Sequence, residues 1–189
     1  MSEPLTNEEK QTLLRLARQA LELGVRGAKL PRLEFDSLTP SLRENGASFV
    51  TLTSHGNLRG CIGALEATQP LAEDVREHAI AAALNDYRFP PVQTGELRGI
   101  QIEVSRLTAP VPLEYNSPED LLAKLRPHVD GVVLKDGPRR ATFLPQVWAQ
   151  LEDPEEFLAH LCAKMGASHD LWRRKHLETL VYRIEEFHE

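Results

Sequence analysis

The sequence predicts an α+β fold built mainly on antiparallel sheet with flanking helices. Two observations favour this class: strand-like segments come in pairs joined by short turns, and segments with helical spacing of apolar residues lie between those pairs. A doubly wound parallel sheet would instead alternate single strands with helices. The chain has 189 residues, 41% of them hydrophobic, which is enough for one domain with its own core. We therefore expect residues 1–189 to form a single compact unit.

The first predicted helix begins at a capping box. Thr6 and Glu9 have the spacing in which each side chain bonds the backbone N–H of the other residue. Apolar residues follow at helical spacing, and Gly24 is the predicted stop. Residues 25–47 contain several glycines and prolines, so we expect an irregular segment that covers part of the fold.

A hairpin and a second helix follow. Residues 48–54 and 58–65 predict two strands joined by a turn at His55-Gly56-Asn57. Pro70 is the predicted start of a helix that runs to about Asn85. The prolines that close the stretch 86–91 exclude a longer helix and predict a stiff loop.

The second half of the chain predicts further strands and helices of similar length. They are a half-buried strand at 100–105, a helix at 117–125, a hairpin of 131–135 and 140–144 with its turn at 136–138, a helix from Asp153 to near Gly166, and a single strand at 179–187.

Composition argues against several classes of function. Twenty-two Lys and Arg residues oppose 28 Asp and Glu residues, so the net charge is −6, and proteins that bind nucleic acid usually carry a basic face. Binding of single-stranded RNA needs interleaved aromatic and basic residues, and only 6% of the residues are aromatic. No apolar run approaches the roughly 18 residues of a membrane span. Nucleic-acid and membrane partners are therefore not expected.

The cysteine content and the N-terminus predict a cytoplasmic location. Cys61 and Cys162 are too few for a disulfide scaffold and suit a reducing compartment. The polar, acidic N-terminal residues do not match a secretory signal or an Arg-rich transit peptide.

The stretch Leu58-Arg59-Gly60-Cys61-Ile62-Gly63 is the main candidate site. On a strand, Arg59 and Cys61 share one face, where the guanidinium would favour the thiolate form of the cysteine. Gly60 and Gly63 would allow a ligand to approach the backbone closely. Cys61 is thus a candidate nucleophile or ligand contact. Alternatively, it is a buried cysteine in the hairpin core, with the two glycines serving a bend.

Three charged or titratable residues could complete such a site. His78 lies on the apolar side of the second helix and is a weak candidate for the base of Cys61; alternatively, it is a hydrogen-bonded interior histidine. Asp86 and Arg88 lie in the stiff loop and could bind a polar substrate or the Arg59 region; alternatively, they form an ion pair that stabilises the helix exit.

Motifs for metals and cofactors are missing from the sequence. His160 and Cys162 diverge on a helix, no C-x-x-C or H-E-x-x-H occurs, and no phosphate-binding loop follows the glycines of the hairpin. No metal and no cofactor are predicted.

Four ordered blocks of this sequence resemble the AMMECR domain family, whose members include AmmeMemoRadiSam system protein A. The blocks are Leu58–Gly63, the helix and loop 79–92, the segment Glu96-Leu97 with 102–105, and Gly131-Val132 with 141–148. The family pattern often has Pro where this chain has Tyr87. The resemblance implies a larger and a smaller lobe, with the Arg-Gly-Cys-Ile-Gly strand near a cleft.

The resemblance also implies partners, because the family name records association with a Memo-like protein and a radical SAM protein. Under this reading the chain is an enzyme or enzyme subunit that uses Cys61 and Arg59, with Gly60, Gly63, Asp86 and Arg88 contacting substrate. The alternative is a non-catalytic adaptor with a structural Cys61, which binds its partner through the cleft or through a predicted exposed region at Trp172-Arg173-Arg174. The resemblance assigns no substrate, reaction or oligomeric state.

Overall fold

The computed structural model describes residues 4–189 and divides into two compact units. We call the residues up to Leu107 together with Glu185–Glu189 the N-terminal unit, and Thr108–Ile184 the C-terminal unit. Each unit combines helices with antiparallel strand pairs, which confirms the α+β class. That the whole chain acts as a single domain stays a prediction.

The helices and strands of the described residues follow one another in this order: α1 (Asn7–Val25), α2 (Pro40–Arg43), β1 (Asn45–Ser54), β2 (Asn57–Gly63), β3 (Gln69–Pro70), α3 (Leu71–Leu84), β4 (Ile100–Leu107), β5 (Val111–Pro112), α4 (Pro118–Lys124), β6 (Gly131–Asp136), β7 (Arg139–Phe143), α5 (Pro154–Lys164), α6 (Leu171–Arg174), β8 (Glu178–Tyr182) and β9 (Ile184–His188). Short 3-10 helices occupy Phe35–Ser37, Thr94–Gly99 and Pro145–Ala149.

The sheet of the N-terminal unit has the strand order β2-β1-β4-β9, and β3 pairs with the start of β1. Helix α1 packs on α3, which in turn packs against β1 and β2. The core of the unit includes Leu13 and Leu21 of α1, Val75 of α3, Leu52 of β1 and Ile102 of β4. Strand β2 lies at the end of the described strand order, so one side of its backbone is not paired by the sheet.

Helix α1 confirms the predicted capping box but corrects the predicted stop. The Thr6 Oγ1 accepts from the Glu9 N–H at 3.2 Å, and the Glu9 carboxylate accepts from the Thr6 N–H at 2.8 Å. Gly24 lies inside the helix, where a Cβ would come within 2.9 Å of Ile80 on α3. The residue with positive φ beyond the helix end is Gly27 (φ 66°). Gly24 therefore serves close packing between two helices, which a sequence alone does not distinguish from a stop.

The irregular segment after α1 covers the core, as expected. Leu30, Leu33 and Leu38 pack against the core of the N-terminal unit. The segment is shorter than predicted because α2 interrupts it and β1 already begins at Asn45.

The predicted turn between β1 and β2 is confirmed. His55 and Gly56 both have positive φ, 51° and 78°, as a two-residue hairpin turn requires. One register shift interrupts the hairpin, because Leu52 pairs with Gly60 and Thr53 pairs with Leu58. Arg59 is therefore the extra residue of a β-bulge.

The sheet of the C-terminal unit has the strand order β5-β8-β6-β7, and α5 packs against β7. The predicted hairpin of β6 and β7 is confirmed, with Gly137 (φ 59°) in its turn. In the core of the unit, the rings of Trp148 and Phe157 stack with centroids 3.7 Å apart.

The predicted single strand at 179–187 is wrong, because the chain forms β8 and β9 there, in two different sheets. The break falls at Arg183, whose N–H donates to the Thr108 Oγ1 and whose carbonyl accepts from the Thr108 N–H. The apolar alternation continues through this break, so the sequence pattern does not reveal it. None of the helices within residues 4–189 is long and apolar enough to cross a membrane.

Candidate functional site

The side chain of Cys61 lies on the face of the sheet opposite α3. Gly60 faces α3, because a Cβ on this residue would lie 2.1 Å from the carbonyl oxygen of Ala82 on that helix. Successive strand residues alternate, so Cys61 points to the other face, and the residue opposite it on β1 is Thr51. The Thr51 hydroxyl donates to the Cys61 Sγ at 3.3 Å. The thiol is half-buried.

Asp86 and Arg88 bind the backbone of Cys61 at the edge of the sheet. The Cys61 N–H donates to the Asp86 carboxylate at 2.8 Å, and the Cys61 carbonyl accepts from the Arg88 guanidinium at 3.2 Å. Arg88 also donates to Asp86 through Nε at 2.9 Å and Nη2 at 2.7 Å. We call this arrangement the Asp86–Arg88 clamp. It satisfies the two polar groups that the edge strand leaves unpaired at Cys61.

The hydrogen bonds of the clamp shift the pKa values of both of its charged groups. The hydrogen bonds from Arg88, followed by the N–H of Cys61, hold the pKa of the Asp86 carboxyl well below its ordinary value, although burial opposes this shift. The hydrogen bonds to Asp86 in turn raise the pKa of Arg88. Asp86 is 4% exposed, whereas the Arg88 side chain is 44% exposed. The Asp86 carboxylate is therefore buried and occupied by hydrogen bonds within the protein. Part of the Arg88 side chain remains accessible to solvent.

Arg59 binds Glu96 rather than a group of the hairpin. Its Nε and Nη2 donate to the two carboxylate oxygens of Glu96 at 2.8 and 3.1 Å. The pKa of Glu96 is lowered first by Arg59 and then by the N–H of Gln93. The Arg59 Nη1 is buried and has no hydrogen-bond partner among the described residues. The simple alternation that places Arg59 and Cys61 on one face does not hold across a bulge.

The two glycines of the stretch permit close approach within the protein. A Cβ on Gly63 would lie 2.3 Å from the ring of Phe49 and 2.4 Å from the carbonyl oxygen of Ser48. Gly60 meets the backbone of α3, as described above. At both glycines, the space that a side chain would need is thus already occupied by other atoms of the protein. The proposal that these glycines contact a substrate rests on the sequence alone.

His78 lies on the α3 side of the sheet, away from the thiol of Cys61. Its Nδ1 is 3.1 Å from the Asp74 Oδ2, which also accepts from the Ser48 hydroxyl at 2.6 Å. Asp74 is 1% exposed and His78 is buried. The structure does not bring His78 to Cys61, because the sheet separates the two side chains.

The structure thus brings together three of the predicted site residues, Cys61, Asp86 and Arg88. Sequence reasoning missed Thr51, which the strand register places opposite Cys61. It also missed that Glu96 is the partner of Arg59. The Gln93-x-x-Glu96 spacing, which forms a capping box here, marks that carboxylate as held in place.

The predicted exposed region Trp172-Arg173-Arg174 is wrong for Trp172, whereas its two arginines are exposed. Trp172 is only 3% exposed and belongs to the core of the C-terminal unit. It lies on the short helix α6, which turns the indole inward, while Arg173 packs over its ring with the guanidinium carbon 4.8 Å from the centroid. Within residues 4–189, no group of three or more His, Cys, Asp or Glu residues is placed to hold a metal ion.

The sequence profile of the family described as AMMECR1 matches residues 14–187. This chain belongs to the AMMECR1 family. The match includes both units and every residue of the site described above. It confirms the resemblance drawn from the four sequence blocks.

The relatives of this AMMECR1-family chain include archaeal proteins. A protein of Methanothermobacter thermautotrophicus is 45% identical over 98% of this chain and 97% of its own. Protein MJ0810 of Methanocaldococcus jannaschii is 39% identical over 96% of this chain and 89% of its own. Among solved structures, the uncharacterized protein PH0010 of Pyrococcus horikoshii is 34% identical, covers 98% of this chain and 93% of its own, and superposes with a TM-score of 0.77. None of these names states an activity.

Proposed function

We propose that this AMMECR1-family chain is a non-catalytic adaptor that binds a partner protein through the loop of residues 86–91. The observation that carries the proposal is the position of Tyr87. This residue is 95% exposed, and it lies between the two residues of the Asp86–Arg88 clamp. Because the clamp holds the loop in place, little conformational entropy is lost when a partner covers this large aromatic side chain.

The contacts around Cys61 support an adaptor rather than a catalyst. A cysteine nucleophile needs a base or a cation within hydrogen-bond reach of its sulfur. Here Arg59 is paired with Glu96, His78 is paired with Asp74, and Arg88 reaches the carbonyl of Cys61. In the described part of the chain, the hydrogen bond to the sulfur comes from a neutral hydroxyl, that of Thr51.

The surface next to the clamp has the composition of a binding site. Tyr and Arg are the residue types enriched in interface hot spots, and both Tyr87 and Arg88 are accessible. Leu58, which is 44% exposed, lies three residues before Cys61 on β2, about 10 Å along the strand. The Memo-like and radical SAM proteins implied by the family resemblance are the proposed partners. Since the family pattern often has Pro at the position of Tyr87, this contact would set the partner preference of this chain.

The substitution Tyr87→Ala is expected to weaken binding to a Memo-like or radical SAM partner by at least tenfold, about the effect of losing one hot-spot residue. The melting temperature should not change, because Tyr87 packs little of its surface against the fold. Titration calorimetry with the purified partners measures the affinity. The substitution Phe35→Ala removes another exposed aromatic ring and is the matched control, with unchanged binding expected. Equal affinities of Tyr87→Ala and the unmodified chain for both partners would contradict the proposal.

A second candidate function is an enzyme that uses the Cys61 thiol. It is favoured by the accessibility of Cys61, which is only half-buried in the fold. Alkylation followed by mass spectrometry separates the two candidates. We expect Cys61 to react in the folded protein and Cys162 to react only on unfolding, since burial raises the pKa of the Cys162 thiol.

The pH at which alkylation of Cys61 begins distinguishes enzyme from adaptor. Reaction at clearly lower pH than that of a denatured control thiol would favour the enzyme. Reaction at the same pH or higher would favour the adaptor. The adaptor also predicts that Cys61→Ser retains partner binding.

A further inference from the structure

Two exposed histidines of the C-terminal unit lie side by side. His160 is on α5 and His169 is in the segment between α5 and α6. Their ring centroids are 6.0 Å apart, and the ring planes are inclined by 69°. Both residues are exposed, and within the described residues neither imidazole makes a hydrogen bond or an ion pair. The ring nitrogens are therefore free to bind a ligand.

The fold holds His169 close to His160 by a braced turn. Gly166 (φ 76°) ends α5, and the N–H of Ala167 returns to the carbonyl of Cys162 at 3.0 Å. Arg174 then donates to the Ser168 hydroxyl at 2.6 Å and to the Asp170 carboxylate at 2.9 Å. The residues on both sides of His169 are thus bound to one guanidinium. This bracing lowers the entropy that the loop would lose on binding a ligand.

We infer that His160 and His169 form a surface site for a divalent transition-metal ion such as Zn²⁺ or Ni²⁺. Neutral imidazole is a preferred ligand of these ions. With metal–nitrogen bonds of about 2.0–2.1 Å, two imidazoles on one tetrahedral ion have ring centres roughly 5 Å apart. The observed separation of 6.0 Å exceeds this value by about 1 Å. Rotation of two exposed side chains removes such a difference easily.

The site would have an open coordination sphere. Among the described residues no third His, Cys, Asp or Glu is placed to complete a closed site, and the neighbouring Asp170 is already paired with Arg174. Water would fill the remaining positions, and these could be exchanged for a small anionic ligand. This inference concerns the C-terminal unit and does not depend on the proposed binding through Tyr87.

Nickel binding to the untagged chain tests the inference. We expect titration calorimetry with Ni²⁺ to show one site per chain, and either His160→Ala or His169→Ala to weaken it at least tenfold. The substitution His188→Ala removes an exposed histidine of β9 and is the matched control, with unchanged binding expected. All three side chains are exposed, so the variants should fold normally.

A site-specific readout comes from NMR. Paramagnetic Ni²⁺ should broaden the ring signals of His160 and His169 before those of the other histidines. Broadening of other histidine signals first would overturn the inference. The same holds for unchanged affinity in either single variant, and for a chain that binds no Ni²⁺ at millimolar concentration.

Discussion

The substitution Gly60→Ala is expected to destabilise the protein by about 3 kcal/mol, the upper end of the range for overpacked cores. The new Cβ would lie 2.1 Å from the carbonyl oxygen of Ala82. The backbone fixes the position of a Cβ, and the carbonyl oxygen is itself a backbone atom, so neither can rotate away and β2 would have to move from α3. In a chain of this size, the melting temperature should fall by roughly 6–12 °C. Thermal unfolding followed by circular dichroism measures this shift.

The matched control is Gly95→Ala in the 3-10 helix before β4. A Cβ at Gly95 meets no atom within 4 Å, so the expected change is within about 0.5 kcal/mol. If Gly60→Ala melted at the same temperature as this control, the close contact between β2 and α3 would be ruled out. The comparison also bears on the candidate site, because a displaced β2 would carry Cys61 away from the clamp.

The substitution Asp86→Asn is expected to cost about 2–3 kcal/mol at pH 7, because it removes a charged acceptor of several hydrogen bonds. The lost acceptor serves the N–H of Cys61 and three N–H groups of Arg88. The amide that replaces it is not charged and carries donors of its own. Urea denaturation of both proteins gives the difference in unfolding free energy. The substitution Asp36→Asn at an exposed carboxylate is the control, with no significant change expected.

The cost of Asp86→Asn should depend on pH in a defined direction. The pKa of Asp86 is lower in the folded chain than its ordinary value, so this carboxyl stabilises the fold fully above the unfolded pKa of about 3.9. The contribution is lost as the pH falls below that value toward the folded pKa. The stability difference between the two proteins should therefore be largest near pH 7 and smaller at pH 3. A difference that stayed constant or grew on acidification would show that Asp86 does not act through its charge.

Local sequence signals predicted most elements because each of them reports short-range physics. Thr6, the turn at His55-Gly56, and Gly137 between β6 and β7 all take the roles that their residue types favour. The predictions fail where the local structure depends on contacts with segments that are distant in the chain. Gly24 reads as a helix stop but is required by Ile80, more than fifty residues away in the chain. The break at Arg183 is specified by Thr108, and its own apolar pattern does not show it.

The candidate site shows the same difference between local signals, which the sequence reveals, and long-range contacts, which it does not. The sequence singled out the Leu58–Gly63 strand and the loop of residues 86–91, since glycines in a strand and paired prolines are unusual, and the structure places the two segments in contact. The sequence could not show that the charges of that loop bind the backbone of Cys61, because the pairing depends on β2 being an edge strand. It also could not show the bulge that assigns Arg59 to Glu96.

By itself, then, the sequence determined the α+β class, the order and type of most elements, the membership in the AMMECR1 family and the stretch that carries the candidate site. Only the tertiary structure decided that His78 and Cys61 lie on opposite faces of the sheet. It also decided that Tyr87 is exposed to solvent between the two residues of the clamp. The physical reason is the range of the interactions. Turn, cap and alternation signals act over a few residues, whereas strand register and helix contacts join residues that are distant in the chain.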